Sequence, residues 1–190
     1  WVRGEKAAVV TSIGPGALQA LAASLAPASD GLGVWYLFGD ETSEDEGYNM
    51  QQIPRREQGL YLQLASAMGS AYSLHTPLAL PAALARGAAV VDHPYRPAPF
   101  YLLLPMNTQA VWLADFNLDE LPEPHPLRLG AAEGDYRQAA EWIRAARRVL
   151  VKVGGGGRGA GAQLITLLER TGGVLVHTPL ASGCIPYTHP

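Results

Sequence analysis

Two glycine-rich turns and one pair of amides carry the chemistry this sequence offers. In "TSIGPGALQAL" (11–21), Gly14-Pro15-Gly16 lies between a strand-like run and an apolar helical pattern. Such a turn directs backbone N–H groups at a helix N-terminus toward an anion or a polar ring. A second turn, "VGGGGRGAGAQL" (153–164), contains GxGxxG through Gly154, Gly156 and Gly159, again between a strand and a helix. The strand that follows ends in Val176-His177-Thr178, with no acid to take a ribose diol, so an ordinary NAD site is not expected. A nucleotide held by backbone contacts and a purely structural turn both remain open there. In "NMQQIPR" (49–55), Gln51 and Gln52 follow the strand ending at Gly39 by one loop. That is the sheet edge where open α/β folds bind ligands, and an amide there can orient a substrate carbonyl. A loop amide bonded to its own backbone is the equal alternative.

The other reactive residue types are dispersed. "DETSEDEG" (40–47) sets Asp40, Glu41, Glu44, Asp45 and Glu46 in one loop, without calcium-loop spacing, and reads as solvated and mutually repelling. The five histidines (75, 93, 125, 177 and 189) lack HxxxH or HExxH spacing. No G-x-S-x-G marks Ser12 or Ser182 as a nucleophile, and Cys184 reads as a plain buried thiol.

The elements that must position these residues alternate. Residues 7–12 read as a strand, and Leu18, Leu21, Ala22 and Leu25 as one face of a helix. "GVWYLFG" (33–39) reads as a strand covered on both faces. Residues 57–68 form a helix with Leu60, Leu64, Ala67 and Met68 inward, 71–76 a short strand, and Leu80, Leu84, Gly87 and Val91 mark another helix. "FYLLLPM" (100–106) is a buried strand. From Asn107 to Glu133 there is no period, and "LPEPHP" is a stiff connector in a linker whose Trp112, Leu113 and Phe116 should pack on a surface. Asp135 with Gln138 resembles a capping box ahead of an amphipathic helix carrying Tyr136, Ala139, Trp142, Ile143 and Ala146. Strands at 148–154 and 172–178 then flank a helix with Leu164, Leu167 and Leu168 inward. The fold class is α/β, with two three-layer α/β/α units of mostly parallel sheet, the second incomplete.

Composition narrows the function classes. The 190 residues include 48% hydrophobic and 16% charged, with 21 Gly and 15 Pro, which describes a globular chain. A net charge of −3 gives no footprint for nucleic acid or an anionic membrane, and no apolar run reaches transmembrane length. One cysteine rules out an internal disulfide and fits a cytoplasmic location. Trp1 directly ahead of a strand, and a last segment "CIPYTHP", read as an internal piece of a longer protein.

Taken together, these residues resemble a known family. "AAVVTSIGPGALQAL" is similar to the "VTSGPGATN" segment of thiamine-diphosphate-dependent enzymes of the acetohydroxyacid synthase group, and "VLVKVGGGGRGAGAQLITLLERTGGVLVHTPLASGCIPYTHP" to the opening of that group's central domain. The wording "SIGPGA" also resembles the trihydroxycyclohexanedione hydrolases of the same superfamily. The resemblance implies a pyrimidine-binding domain over 1–106, a linker over 107–133 and the start of a Rossmann-like central domain over 134–190. It further implies that Gly14, Pro15 and Gly16 lie against the cofactor's aminopyrimidine at an interface between two copies, and that Gln51, with Gln52, reaches toward the reacting carbon. Gly154, Gly155, Gly156, Thr178 and Leu180 would hold FAD or ADP in those members that bind one. The implied activity is a lyase or carboligase of 2-oxo acids, acetolactate synthase-like, in a homo-oligomer with thiamine diphosphate and Mg2+. The family's activating glutamate would fall before Trp1 and its Mg2+ site after Pro190, so the 190 residues alone are expected to be inactive. Two departures stand out: Leu18-Gln19 replaces the family's Thr-Asn, and the acidic loop replaces a "GQV" continuation. The rival readings are a non-catalytic nucleotide-binding or subunit-interaction module and a flavin or nicotinamide oxidoreductase.

Overall fold

The computed structural model describes residues 5–44, 52–53, 58–121 and 130–189. The chain divides into two compact units, Trp1–Arg128 and Leu129–Pro190.

Unit 1 is built on four parallel strands in the order β1-β2-β4-β3: β1 (Ala7–Thr11), β2 (Val34–Asp40), β3 (Ser70–Ser73) and β4 (Phe100–Pro105). The strand at 71–76 is thus shorter than its apolar pattern indicates, leaving His75 beyond its end. The alternation of β2 and β4 sorts their side chains onto two faces. Tyr36, Phe38, Tyr101 and Leu103 meet α1 (Pro15–Asp30) and α2 (Leu60–Met68) on one face. Trp35, Leu37, Phe100 and Leu102 meet α3 (Leu80–Val91) on the other. Aromatic pairs fix both layers, with Tyr36 stacked on Tyr101 at 5.1 Å and Trp35 edge-on to Phe100 at 5.5 Å.

Two helices turn differently from their apolar pattern. On α1 the inward residues are Ala17, Ala20, Leu21 and Ser24, whereas Leu18 and Leu25 are 46% and 61% exposed. Small side chains let this helix lie close on the bulky Tyr36 and Tyr101, and Tyr101 Oη donates to Ser24 Oγ at 2.6 Å. On α2 the inward pair is Tyr61 and Ala65, while Leu64 faces out. α3 follows its pattern: Ala83, Gly87 and Val91 are buried, and Gly87 leaves room for the Trp35 ring. After β4 come α4 (Met106–Gln109) and a segment in which Leu113 and Phe116 are half-buried. Trp112 is 89% exposed, contrary to the expectation of packing, and flanks a groove of about 220 Å³ with Leu78 and Pro81.

Unit 2 contains α5 (Glu133–Ala145), β5 (Leu150–Val153), α6 (Gly161–Thr171) and β6 (Val174–His177), with β5 and β6 parallel. α5 begins at Glu133, two residues before the expected cap, with Ala132 as its N-cap and no side-chain cap; Asp135 lies inside its first turn, where a carboxylate favours the helix dipole. No residue of α5 is buried, and Trp142 is 68% exposed, so its apolar stripe is not a core face among the described residues. One face of the two-stranded sheet packs Val151, Val153 and Leu175 with Leu164, Ala181 and Cys184. Leu150, Val174 and Val176 on the other are exposed, so a third layer over this sheet is not seen among the described residues. No described helix is long and apolar enough to cross a membrane.

Candidate functional site

The carboxyl edge of the unit 1 sheet brings together residues that are far apart in sequence. β1 leaves the sheet at Thr11 and turns through Ser12, Ile13 and Gly14 into α1, whose first residue Pro15 has its φ preset for a helix start. Gly39, near the end of β2, passes close by: a Cβ added there would stand 3.5 Å from Ile13 N and 3.7 Å from Ser12 Cα. Gly14 has φ 74°, ψ −129°, a conformation that side chains disfavour. A Cβ at Gly14 would also collide with Gln52, 2.8 Å from that residue's Cβ and closer still to its Oε1. Gln52 therefore rests directly on the Gly14 turn. Gln51, the other amide singled out from sequence, lies outside the described residues. Gly16 is less constrained; an added Cβ would lie 3.1 Å from the Ser12 hydroxyl oxygen. Thr11 Oγ1, just ahead of the turn, is buried without a hydrogen-bond partner.

Tyr61 is a member of this site that sequence reasoning missed. It is buried on α2, and its hydroxyl donates to the Gln52 carbonyl at 2.7 Å. Gln52 is the non-glycine residue with positive φ among those described, at 54°. Burial raises the Tyr61 phenol pKa, and the nearby charges of Glu41 and Asp40 raise it further, so it stays a donor. A tyrosine ten residues beyond Gln51 carries no sequence signature for this role; its face on α2 becomes visible only in the fold.

The acidic loop departs from expectation at its stem. Glu41 is 2% exposed and so is not part of a solvated run. Asp40 is also partly buried, and this desolvation raises its pKa. The Glu41 N–H, which donates to Asp40 Oδ1 at 2.9 Å, opposes that rise, the Glu41 charge adds to it, and His75 opposes it. Asp40 closes the central strand β2 and Glu41 follows it directly, both at least partly withdrawn from solvent; the repelling-loop pattern does not describe this stem. Ser43 N donates to Asn107 Oδ1 at 3.0 Å, and Asn107 Nδ2 donates back to Ser43 Oγ at 3.0 Å. Gln58 Nε2 also donates to the Thr42 carbonyl. The loop stem is thus tied to α4 and to the approach to α2. Residues 45–51 lie outside the described ones.

In unit 2 the glycine turn is partly closed on itself. Gly155–Gly157 form a single 3-10 turn, with Gly157 N donating to Gly154 O and Arg158 N to Gly155 O. Gly155 meets Leu180, whose Cβ would stand 3.2 Å from an added Cβ. Thr178 N donates to Val153 O at 2.9 Å, which brings the end of β6 alongside the end of β5. Gly155, Thr178 and Leu180 therefore converge, whereas Gly154 and Gly156 have no atom within 4 Å of an added Cβ and face open space. Gly161 is required by packing, since a Cβ would strike the Cys184 carbonyl. Cys184 itself is a buried free thiol. Among the described residues, no group of three or more His, Cys, Asp or Glu could hold a metal ion.

Comparison with known proteins bears on unit 2 first. No curated protein matches the chain. Residues 136–190 match the family model described as thiamine pyrophosphate enzyme, central domain, which covers under a third of the chain. The α/β architecture with parallel strands agrees with that match, which supports a thiamine-diphosphate-dependent enzyme family and its cofactor.

Proposed function

We propose that this chain is part of a thiamine-diphosphate-dependent lyase or carboligase of 2-oxo acids, acetolactate synthase-like, and that unit 1 supplies part of the seat for the cofactor's pyrimidine ring. The observation that carries the reading is the match of residues 136–190 to the central-domain family. In unit 1 the support is chemical. Gly14 admits the Gln52 side chain, which sets an amide on the turn, Gly16 adds no side chain at the start of α1, and Thr11 Oγ1 just ahead of them is a buried polar atom lacking a partner. That donor and acceptor set fits an aminopyrimidine. The bound cofactor supplies the carbanion chemistry by which a 2-oxo acid loses carbon dioxide. The chain's own residues would orient: Gln52, together with Gln51, is assigned to the substrate carbonyl, and Pro15 fixes the start of α1 after the Gly14 turn. Mg2+ has no ligand set among the described residues, and no step is assigned to it.

The complete reading frame containing this chain, supplied with thiamine diphosphate and Mg2+, is expected to release carbon dioxide from at least one of pyruvate, 2-oxobutyrate and glyoxylate. A folded protein that neither binds thiamine diphosphate in calorimetry nor consumes any of them overturns the reading. For unit 2, Gly154, Gly155 and Gly156 with Thr178 and Leu180 are the place we assign to an ADP or FAD moiety, because Gly154 and Gly156 open onto free space beside the converging Gly155 and Leu180. An ADP titration without heat or spectral change would remove that assignment. We also infer a homo-oligomer formed through unit 1, supported by Leu18 and Leu25, which share one exposed face of α1. Sedimentation of a Leu18→Glu, Leu25→Glu variant at unchanged mass would refute it.

A further inference from the structure

We propose that Tyr61 is a positioning residue, whose buried hydroxyl holds Gln52 in a left-handed backbone conformation and so fixes the amide over the Gly14 turn. The geometry supplies each link. Glutamine is not among the residues that enter positive φ readily, as glycine, asparagine and aspartate do, so a φ of 54° needs something to hold it. The Tyr61 ring is locked in the core cluster that also contains Phe38, Ala17 and Ala65, so its hydroxyl occupies a fixed point at the edge of α2. From that point it donates to the Gln52 carbonyl at 2.7 Å. The Gln52 side chain in turn lies against Gly14, whose missing Cβ is what admits it. A rigid ring, one hydrogen bond, one strained residue and one glycine thus form a chain from the core of unit 1 to the turn. The Glu41 and Asp40 carboxylates beside the phenol act in the same sense, because they disfavour loss of the donating proton.

Tyr61→Phe removes the hydroxyl and keeps the ring. In the nitrogen-15 spectrum of the 190-residue chain, Tyr61→Phe is expected to move the Gln52 backbone shifts out of the left-handed range and to displace the Gly14 and Ile53 amides, with unit 2 unchanged. Unaltered Gln52 shifts overturn the proposal. If Tyr61→Phe does not fold, Gln52→Gly replaces it as the test. Glycine takes positive φ without strain, so Gln52→Gly is expected to raise the urea midpoint, and a lowered midpoint overturns the proposal. A second arm rests on the functional reading above. In the complete enzyme, Tyr61→Phe is expected to lower kcat roughly fivefold with the KM for the 2-oxo acid unchanged, and to add nothing in a Gln52→Ala background. An equal loss in that background means the hydroxyl acts on stability alone and overturns the proposal. Should the wild-type enzyme bind no thiamine diphosphate and turn over no 2-oxo acid, the functional reading fails by itself, and the spectrum decides the role of Tyr61.

Discussion

Replacing Gly14 by alanine tests the geometry of the turn and its contact with Gln52 together. Two costs add. At φ 74° and ψ −129°, alanine occupies a region close to the glycine-only part of the map, at a cost of about 1–3 kcal/mol. The new Cβ would also stand 2.8 Å from Gln52 Cβ. That atom is near the backbone and cannot swing aside as a chain end can, so relief requires Gln52 to leave the turn, at about 1 kcal/mol or more by overpacking. The expected loss is about 2–4 kcal/mol, a large part of the stability of a domain this size. Gly16→Ala is the internal control. It lies inside α1 at ordinary φ, its nearest obstacle is a hydroxyl 3.1 Å away that can rotate, and helix propensity favours alanine by up to about 1 kcal/mol. It is expected within about 0.5 kcal/mol of wild type. The assay is urea unfolding followed by tryptophan fluorescence in a Trp142→Phe background, which leaves Trp1, Trp35 and Trp112, all in unit 1. With a urea slope of about 1–3 kcal/mol per molar, Gly14→Ala should lower the midpoint by roughly 1–2 M. Equal midpoints for the two variants would show that Gly14 does not hold a positive φ beneath Gln52.

Gly87→Ala should destabilise unit 1 by about 1–3 kcal/mol despite the gain in helix propensity, because the added methyl would lie 2.1 Å from the Trp35 ring and 2.8 Å from Phe100 Cδ1; a raised urea midpoint would refute the close packing of α3 on the sheet. Ser24→Ala should cost about 1–3 kcal/mol, and more than Tyr101→Phe, since it leaves the buried Tyr101 hydroxyl without its acceptor; comparison of the two urea midpoints checks the order. Asp40 has its pKa raised by burial, so the native state favours its protonated form, and the stability present below the ordinary aspartate range is lost as pH rises from there through the raised pKa. Asp40→Asn should therefore match or exceed the wild-type midpoint at pH 7, with the difference shrinking as pH falls toward the ordinary aspartate range; a difference that grows on acidification would reverse the assigned sign.

The fold class was legible because β2 and β4 are continuous apolar runs that only a doubly covered sheet accommodates, whereas the strand order β1-β2-β4-β3 was not read from sequence. The glycine turns were legible for a related reason, since glycine and proline between a strand and a helix leave few backbone conformations to choose from. Helix faces were not. Periodicity counts large apolar residues, and on α1 it selects Leu18 and Leu25, yet the structure buries Ala17, Ala20 and Ser24. The reason lies on β2 and β4: Tyr36 and Tyr101 fill the space beneath α1, so Leu21 is joined there by small residues and not by further leucines. What a helix buries is set by the volume opposite, which its own sequence does not contain.

The same logic explains which parts of the candidate site sequence could reach. Gly14 and Gln52 were visible as types and spacing, because a turn glycine and a loop amide declare themselves locally. The link between them was not, because it runs through Tyr61, whose value depends on a ring held by Phe38 and a hydroxyl aimed at a carbonyl nine residues earlier. Asp40 and Glu41 were misread for the converse reason. They continue into Glu44, Asp45 and Glu46, and a charge run looks uniform in sequence, but Asp40 closes the central strand β2 half-buried and Glu41, the next residue, is buried. Desolvation raises the Asp40 pKa, and desolvation first, then the charges of Glu41 and Asp40, raise that of the Tyr61 phenol. The buried end of the acidic run is thus electrostatically linked to the residue that donates to the Gln52 carbonyl, a link that a run of charges in sequence does not reveal.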